Sequence, residues 1–197
     1  MVTNALALVE KEGPQALTMR RLATELDVTT TTIYWHVGGR DELVTEIVRR
    51  QADRLAARPV QGDSPRQRVM DAARHVWESA LENRAVTSLA YQNGAIAVLE
   101  HPLHRALVIE LEAAGLRGQS GADAMRAILT TVAGFLLAAL RDESATPVER
   151  TSAGLWAADP GEVDPTTVTA LIGAADLPVL FESAVQAVVD HYVRDAA

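Results

Sequence analysis

"LDVTTTTIYWHVGGRDEL", residues 26–43, decides how this chain folds. Thr29, Thr30, Thr31 and Thr32 lead into Ile33, Tyr34, Trp35 and His36, and a Gly38-Gly39 break precedes the acidic pair Asp41-Glu42. A run of β-branched residues suits a short strand, and composition alone leaves that alternative open. The rest of the chain offers no alternating segment with which such a strand could pair, so the stretch reads as a short helix with an unusual outer face.

The flanking sequence supports the helix. Upstream, Ala5, Leu8 and Val9 share one face of a first helix that Gly13 and Pro14 end. Thr18 is placed to cap a second helix that turns Leu22, Ala23 and Leu26 inward. Either Asp27 or Thr29 then begins the third helix, with Ile33 and Val37 four residues apart. Asp41 and Glu42 fall in the first turn of a fourth helix, 41–57, where exposed N–H groups favour carboxylates. Leu22, Leu26, Val28, Ile33 and Val37 are the expected core.

Two short helices separated only by "LDVT" and backed by a third match the helix-turn-helix arrangement, whose second helix enters the major groove of DNA. A groove-facing helix needs short side chains where backbones approach, hydroxyls for phosphates or bases, and methyls for thymine. Thr29 to Thr32 supply all three. Tyr34 and Trp35 reach further out, with Tyr34 either meeting DNA or packing on the first helix. His36 stands at the edge, where sugar-phosphate is expected.

Beyond "RPVQGDSP" (58–65), a turn-rich joint, the helical period continues. Val69, Ala72, Ala73, Val76, Trp77, Ala80 and Leu81 form one stripe; a shorter piece covers 86–99, broken at Gly94. Another helix has Pro102 near its first turn and Leu103, Leu107 and Leu111 aligned. The most apolar helix is 123–141, and a last one spans 176–195. Residues 142–167 show no sustained period and read as an ordered loop or insert. The fold class is all-α. The longest uncharged apolar run, Ala127 to Leu140, has 14 residues and is too short to span a bilayer.

Composition narrows the function classes. The chain of 197 residues is 48% hydrophobic and carries a net charge of −8. Residues 1–58 hold eight Lys or Arg against eight Asp or Glu, and the remainder ten against eighteen. An acidic body repels DNA, so any DNA contact requires a locally arranged face in the first segment. The absence of cysteine excludes disulfides and thiolate chemistry. The first residues lack the basic start and apolar stretch of a secretory signal, and a cytoplasmic location is expected. No HExxH, glycine-rich phosphate loop or G-x-S-x-G elbow occurs, so neither an enzyme nor a metal or cofactor is expected. Glu100, His101 and His104 read as a solvated helix start, with a weak metal pattern as the alternative.

Residues 2–43, "VTNALALVEKEGPQALTMRRLATELDVTTTTIYWHVGGRDEL", resemble the DNA-binding domain of the tetracycline-repressor (TetR) family. "ALTMRRLA", "LDV" and "TIYWHVGGRDEL" carry the likeness, and "YWH" places it closest to the tetracycline repressor's own branch. "LAYQNGAIAV" and the long helical body are similar to that branch's regulatory domain, less closely. The resemblance implies a phosphate contact at Thr18, a base contact at Arg20, a recognition helix bearing Thr30, Thr31, Thr32, Tyr34 and Trp35, and phosphate contacts at His36 and Arg40. Met19 and Thr30 depart from the family's polar pattern, so the operator sequence does not carry over. Gly38 stands where the resemblance places a lysine. Val98 and Ala56 stand near the positions of two histidines that serve magnesium-tetracycline, which argues against that ligand.

The expected organisation is a helix-turn-helix domain over 1–45 and a ligand-binding and dimerisation domain over 46–197, joined by helix 41–57. Trp77, Tyr91, Leu107, Phe135 and Trp156, with the polar Asn93, Arg105 and Glu110, are candidates to line a pocket for a largely apolar effector. Each aromatic is equally at home in a plain core. Ile128, Leu129, Val132, Leu136 and Leu140, with Phe181, Val185 and Val188, are the expected homodimer contacts of a four-helix interface. Together these readings describe a ligand-responsive regulator, a repressor released from palindromic double-stranded operator DNA by a small molecule. The alternative is a ligand-binding protein of the same fold that has lost specific DNA binding.

Overall fold

Gly13, at φ +84°, ends the first helix, α1 (Val2–Glu12), and turns the chain through a 3-10 turn at Pro14–Ala16 toward Thr18. In the computed structural model, which describes residues 1–142 and 151–193 (the side chains of 140–142 excepted), the Thr18 hydroxyl accepts the Arg21 N–H at 3.1 Å and caps α2 (Met19–Glu25). Thr29 settles the start of α3 (Thr30–Val37) by accepting the Thr32 N–H at 3.2 Å. Glu42 reaches back to the Gly39 N–H at 2.8 Å and fixes the entry to α4 (Arg40–Ala56). The threonine run is therefore helical. Its first member serves as the cap and its fourth is tied to it, Thr29 Oγ1 to Thr32 Oγ1 at 2.9 Å.

The body follows as α5 (Pro65–Glu82), α6 (Arg84–Gln92), α7 (Ile96–Ala113), α8 (Gly118–Asp142), α9 (Ser152–Ala158), α10 (Pro165–Ile172) and α11 (Leu177–Tyr192). The architecture is all-α, with no strand among the described residues. Residues 151–167 differ from expectation, since α9 and the start of α10 lie within the span read as a loop. Both helices are short and carry their own caps, Thr151 and Asp164, so a periodicity test over longer windows passes over them. Pro102 also stands inside α7 rather than near its first turn, because Gly94, at φ +67°, ends the break after α6 and the helix resumes at Ile96.

Two apolar cores organise the chain. In the first, Ala5, Leu6, Val9, Leu22, Ile33, Leu43, Ile47 and Val48 from α1–α4 meet Val86, Leu89 and Ala90 of α6 and Leu99 of α7. Leu26 and Val37 are half-buried against it. Val28 is not part of it: it stands 39% exposed in the turn, where Asp27 adopts φ +52° and the Val28 N–H bonds Ala23 O. The second core joins α5, α7, α8 and α11, with Trp77 stacked on Phe181 at 4.3 Å and Phe135 edge-on to Phe181 at 5.7 Å.

This packing corrects four of the interface residues expected from sequence. Ile128, Val132, Phe181 and Val185 are fully buried inside the protomer's own second core, and Leu129, Leu136 and Val188 are partly buried against it. They face inward because α8 and α11 each lay their most apolar stripe on α5 and on each other. The Leu140 side chain lies outside the described residues. What remains outward is a different stripe, Thr130, Ala133, Gly134 and Leu137 on α8, beside Val179, Leu180, Ser183 and Ala187 on α11. Leu137 is 65% exposed, and a Cβ at Gly134 would meet nothing within 4 Å. The segment Gly118–Ala139 of α8 is long and apolar enough to cross a bilayer by length and composition, longer than the uncharged run suggested. In the fold its inner stripe is core.

Phe181→Ala should lower the unfolding free energy by about 3–5 kcal/mol, and Leu89→Ala by about 2–5 kcal/mol, in urea titrations. His75 on α5 and His104 on α7 provide a second check. Burial is the main force lowering both imidazole pKa values, opposed at His75 by Asp71 and reinforced at His104 by His101. Below about pH 6.5, the ordinary imidazole value, the unfolded chain therefore binds protons that the folded chain refuses. Stability should fall through that range, and the slope between about pH 7 and 5.5 should flatten in a His75→Gln, His104→Gln variant.

Candidate nucleic-acid interface

Ile33 is the buried anchor of α3, and everything opposite it is open. Thr30, Thr31, Tyr34, Trp35 and His36 are exposed; Thr31, Tyr34 and Trp35 border one shallow hollow. Trp35 is 86% exposed and Tyr34 does not join the core against α1. So large an aromatic surface left in water on a helix with a fixed inner face marks a contact surface. Thr32 differs from its neighbours in being half-buried with its hydroxyl engaged by Thr29.

The charges around α3 are sorted by pairing. Arg21 is held by Glu12 at 2.9 Å and Glu25 at 3.5 Å, Arg49 by Glu46, and Arg54 by Glu10 at 3.9 Å. Arg20, at the start of α2, makes no ion pair among the described residues. Arg40, at the start of α4, donates from Nη1 to Asn93 Oδ1 at 3.1 Å. The two arginines flank α3 from neighbouring helix starts, and neither is neutralised by a carboxylate. Gly38 takes φ +76° and ψ −133°, a conformation that strains any other residue, so a lysine is poorly accommodated there.

The expected pocket residues divide. Tyr91 borders a cavity of about 580 Å³ with Ala80, Leu81, Arg84, Thr87 and Glu100, where α5, α6, α7 and α8 meet. Leu136, expected at an interface, also lines it. Burial raises the Glu100 pKa, and its Oε2 lies 4.0 Å from His104 Nε2. The other candidates are placed elsewhere. Trp77 and Phe135 form the aromatic cluster with Phe181, Leu107 is plain core, and Trp156 sits half-buried on α9. Glu110 binds Arg68 at 2.7 Å, and Arg105 borders a separate recess. Asn93 is spent on the domain contact, accepting from Arg40 and donating to Leu89 O at 2.7 Å. Among the described residues no three His, Cys, Asp or Glu side chains converge as metal ligands.

Sequence reasoning missed the polar bridges between head and body. Gln51, buried on α4, donates to Asn83 Oδ1 at 2.6 Å, and Asn83 donates to Ser79 O at 2.9 Å. A single glutamine amid the apolar positions of α4 was the available signal.

The exposed helix α3, its capped partner α2 and the arginines at adjoining helix starts form a helix-turn-helix arrangement on an all-α body. Residues 2–47 match the family model described as bacterial regulatory proteins, tetR family. The tetracycline repressor protein class D of Escherichia coli is 32% identical over 103 residues, 48% of this chain and 41% of that protein. The matched region thus spans about two fifths of that relative's length. ActR of Streptomyces coelicolor in its apo form has a TM-score of 0.69 at 21% identity, covering 98% of this chain and 92% of ActR. ActR in complex with actinorhodin gives 0.68 at 23% identity, covering 97% and 93%. Residues 2–47 are therefore similar to the tetR family's model, and the chain as a whole shares the fold of ActR.

Trp35→Ala and Tyr34→Ala should leave the unfolding free energy within about 0.5 kcal/mol of wild type, since neither side chain is buried. Gly38→Lys should lower it by about 1–3 kcal/mol through backbone strain. Both are measurable by chemical denaturation of the DNA-free protein.

Proposed function

We propose that this protein is a homodimeric transcriptional regulator of the cytoplasm, a repressor that a small, largely apolar molecule releases from palindromic operator DNA. The observation that carries the reading is the exposed face of α3, with Thr30, Thr31, Tyr34 and Trp35 projecting from a domain matched to the tetR family. The finer likeness to the tetracycline repressor's branch belongs to this proposal too, without its magnesium-drug ligand, because Val98 and Ala56 stand near the two histidine positions.

A regulator needs two heads at a fixed distance. In a two-fold dimer each α3 reads one half-site, and the two must lie about 34–36 Å apart, or a multiple of that. The outward stripe of α8 and α11 suits the dimer contact, since its small residues allow two copies to approach closely. The cavity beside α6 suits the effector, as the complex of ActR with actinorhodin supports for this fold. Arg84, Thr87 and Tyr91 border that cavity, while Val86, Leu89 and Ala90 of the same helix sit in the head's core. An occupant that displaces α6 therefore displaces the surface on which α1 and α4 rest, and the half-site distance changes with it. By linkage, DNA weakens the effector by the factor that the effector weakens DNA.

The competing reading, a binding protein of this fold without specific DNA recognition, draws on the internal pairing of Arg21, Arg49 and Arg54. Selection from a random duplex library separates the two. The regulator reading expects a palindromic consensus, saturable binding with a steep salt slope, and selective loss in Trp35→Ala and Arg20→Ala, the latter by roughly 1–3 kcal/mol at one or two base pairs. Binding without any sequence preference would refute it. Leu137→Glu with Ala187→Glu should yield a folded monomer in sedimentation equilibrium, and a dimer that persists in this variant would move the interface elsewhere.

A further inference from the structure

A recess of about 210 Å³ lies between the last turn of α4, the middle of α5 and the middle of α7. It is distinct from the cavity beside α6, and Leu55 and Leu103 stand in the wall between it and the small pocket that adjoins that cavity. Leu55, Leu103 and Ile109 supply apolar surface, and Arg58, His75 and Arg105 supply the polar groups. No carboxylate is among its lining residues.

The polar groups are unusually available. Arg105 makes no ion pair among the described residues. Arg58 is paired with Glu78 at 2.9 Å, but both side chains are substantially exposed, and such pairs contribute little and exchange readily. His75 is 4% exposed. Its Nε2 lies 3.1 Å from Asp71 Oδ2 yet makes no hydrogen bond, and that carboxylate oxygen accepts the Gln61 N–H at 2.8 Å instead. The His75 Nε2 is enclosed beside Asp71, which does not line the recess, so Arg58 and Arg105 are the charged groups that the recess offers to a ligand.

We propose that this recess is a second small-molecule site, which takes a compact monocarboxylate with an apolar body. The carboxylate is held between Arg58 and Arg105, whose planar forks match its geometry, and the body rests on Leu55, Leu103 and Ile109. One charge is the limit, since one of the two arginines already shares Glu78. The volume restricts the body to a single ring or a short branched chain. An occupant rests against the last turn of α4 through Leu55 and Ala56.

The test uses the full chain without DNA, so its outcome is independent of operator recognition. Benzoate and its neutral isostere benzamide are titrated at neutral pH, and backbone amide shifts are followed by two-dimensional NMR. Benzoate should give saturable shifts at residues 55–58, 72–75 and 102–109, and benzamide none. Arg105→Gln, at an exposed position, should weaken benzoate about tenfold or more. Ile109→Trp, also exposed, should abolish binding by filling the recess. No saturable benzoate binding would overturn the proposal. So would equal binding of benzamide, shifts centred on Tyr91 and Glu100, or affinity unchanged in both variants.

Discussion

The packing of Val86, Leu89, Ala90 and Leu99 into the core of the first four helices is the constraint on which the rest depends. Without it, α1–α4 would be a small three-helix unit hung on a single connecting helix, with little apolar area of its own to bury. With it, the head is seated on the body over a continuous apolar surface, and α4 is held along much of its length. Arg40–Asn93 and Gln51–Asn83 add directional contacts at two points along the same seam. Apolar packing supplies the strength of the joint; the two polar pairs supply its register.

This arrangement gives α6 two roles at once. One side of the helix is core for the head, and the other borders an apolar cavity of about 580 Å³ in the body. A helix of nine residues carries both without a separate transmitting element. A rigid helix shared by two environments has few ways to adjust to a change in one of them without changing the other.

Much of the fold was legible in the sequence because its signals are local. Thr18, Thr29 and the Gly38-Gly39 break mark helix ends by hydrogen bonds made within three residues, and Ile33 and Val37, like Leu43 and Ile47, repeat at helical spacing. Two kinds of feature were not legible. Which side of a uniformly apolar helix faces inward is decided by its neighbours, so α8 and α11 were correctly identified as apolar while Ile128, Val132, Phe181 and Val185 were assigned to the wrong surface. Side-chain partners distant in sequence were equally hidden. Asn93 and Glu110 read as polar groups for a ligand, but their hydrogen-bonding capacity is used by Arg40 and Arg68, 53 and 42 residues away. The exposed residues of α3 were readable because an aromatic pair at the end of a capped helix has no local partner to bury it.

The self-neutralised arginines of the head bear on how the proposed regulator would find its target. Electrostatic attraction to arbitrary duplex grows with the number of phosphates a protein can neutralise. A head that spends Arg21, Arg49 and Arg54 on its own carboxylates, above an acidic body, keeps only part of its positive charge for that purpose. If the proposed regulator reads DNA through the exposed face of α3, bulk duplex would be a weak competitor for it. Occupancy of an operator would then follow the concentration of protein more than the mass of surrounding DNA.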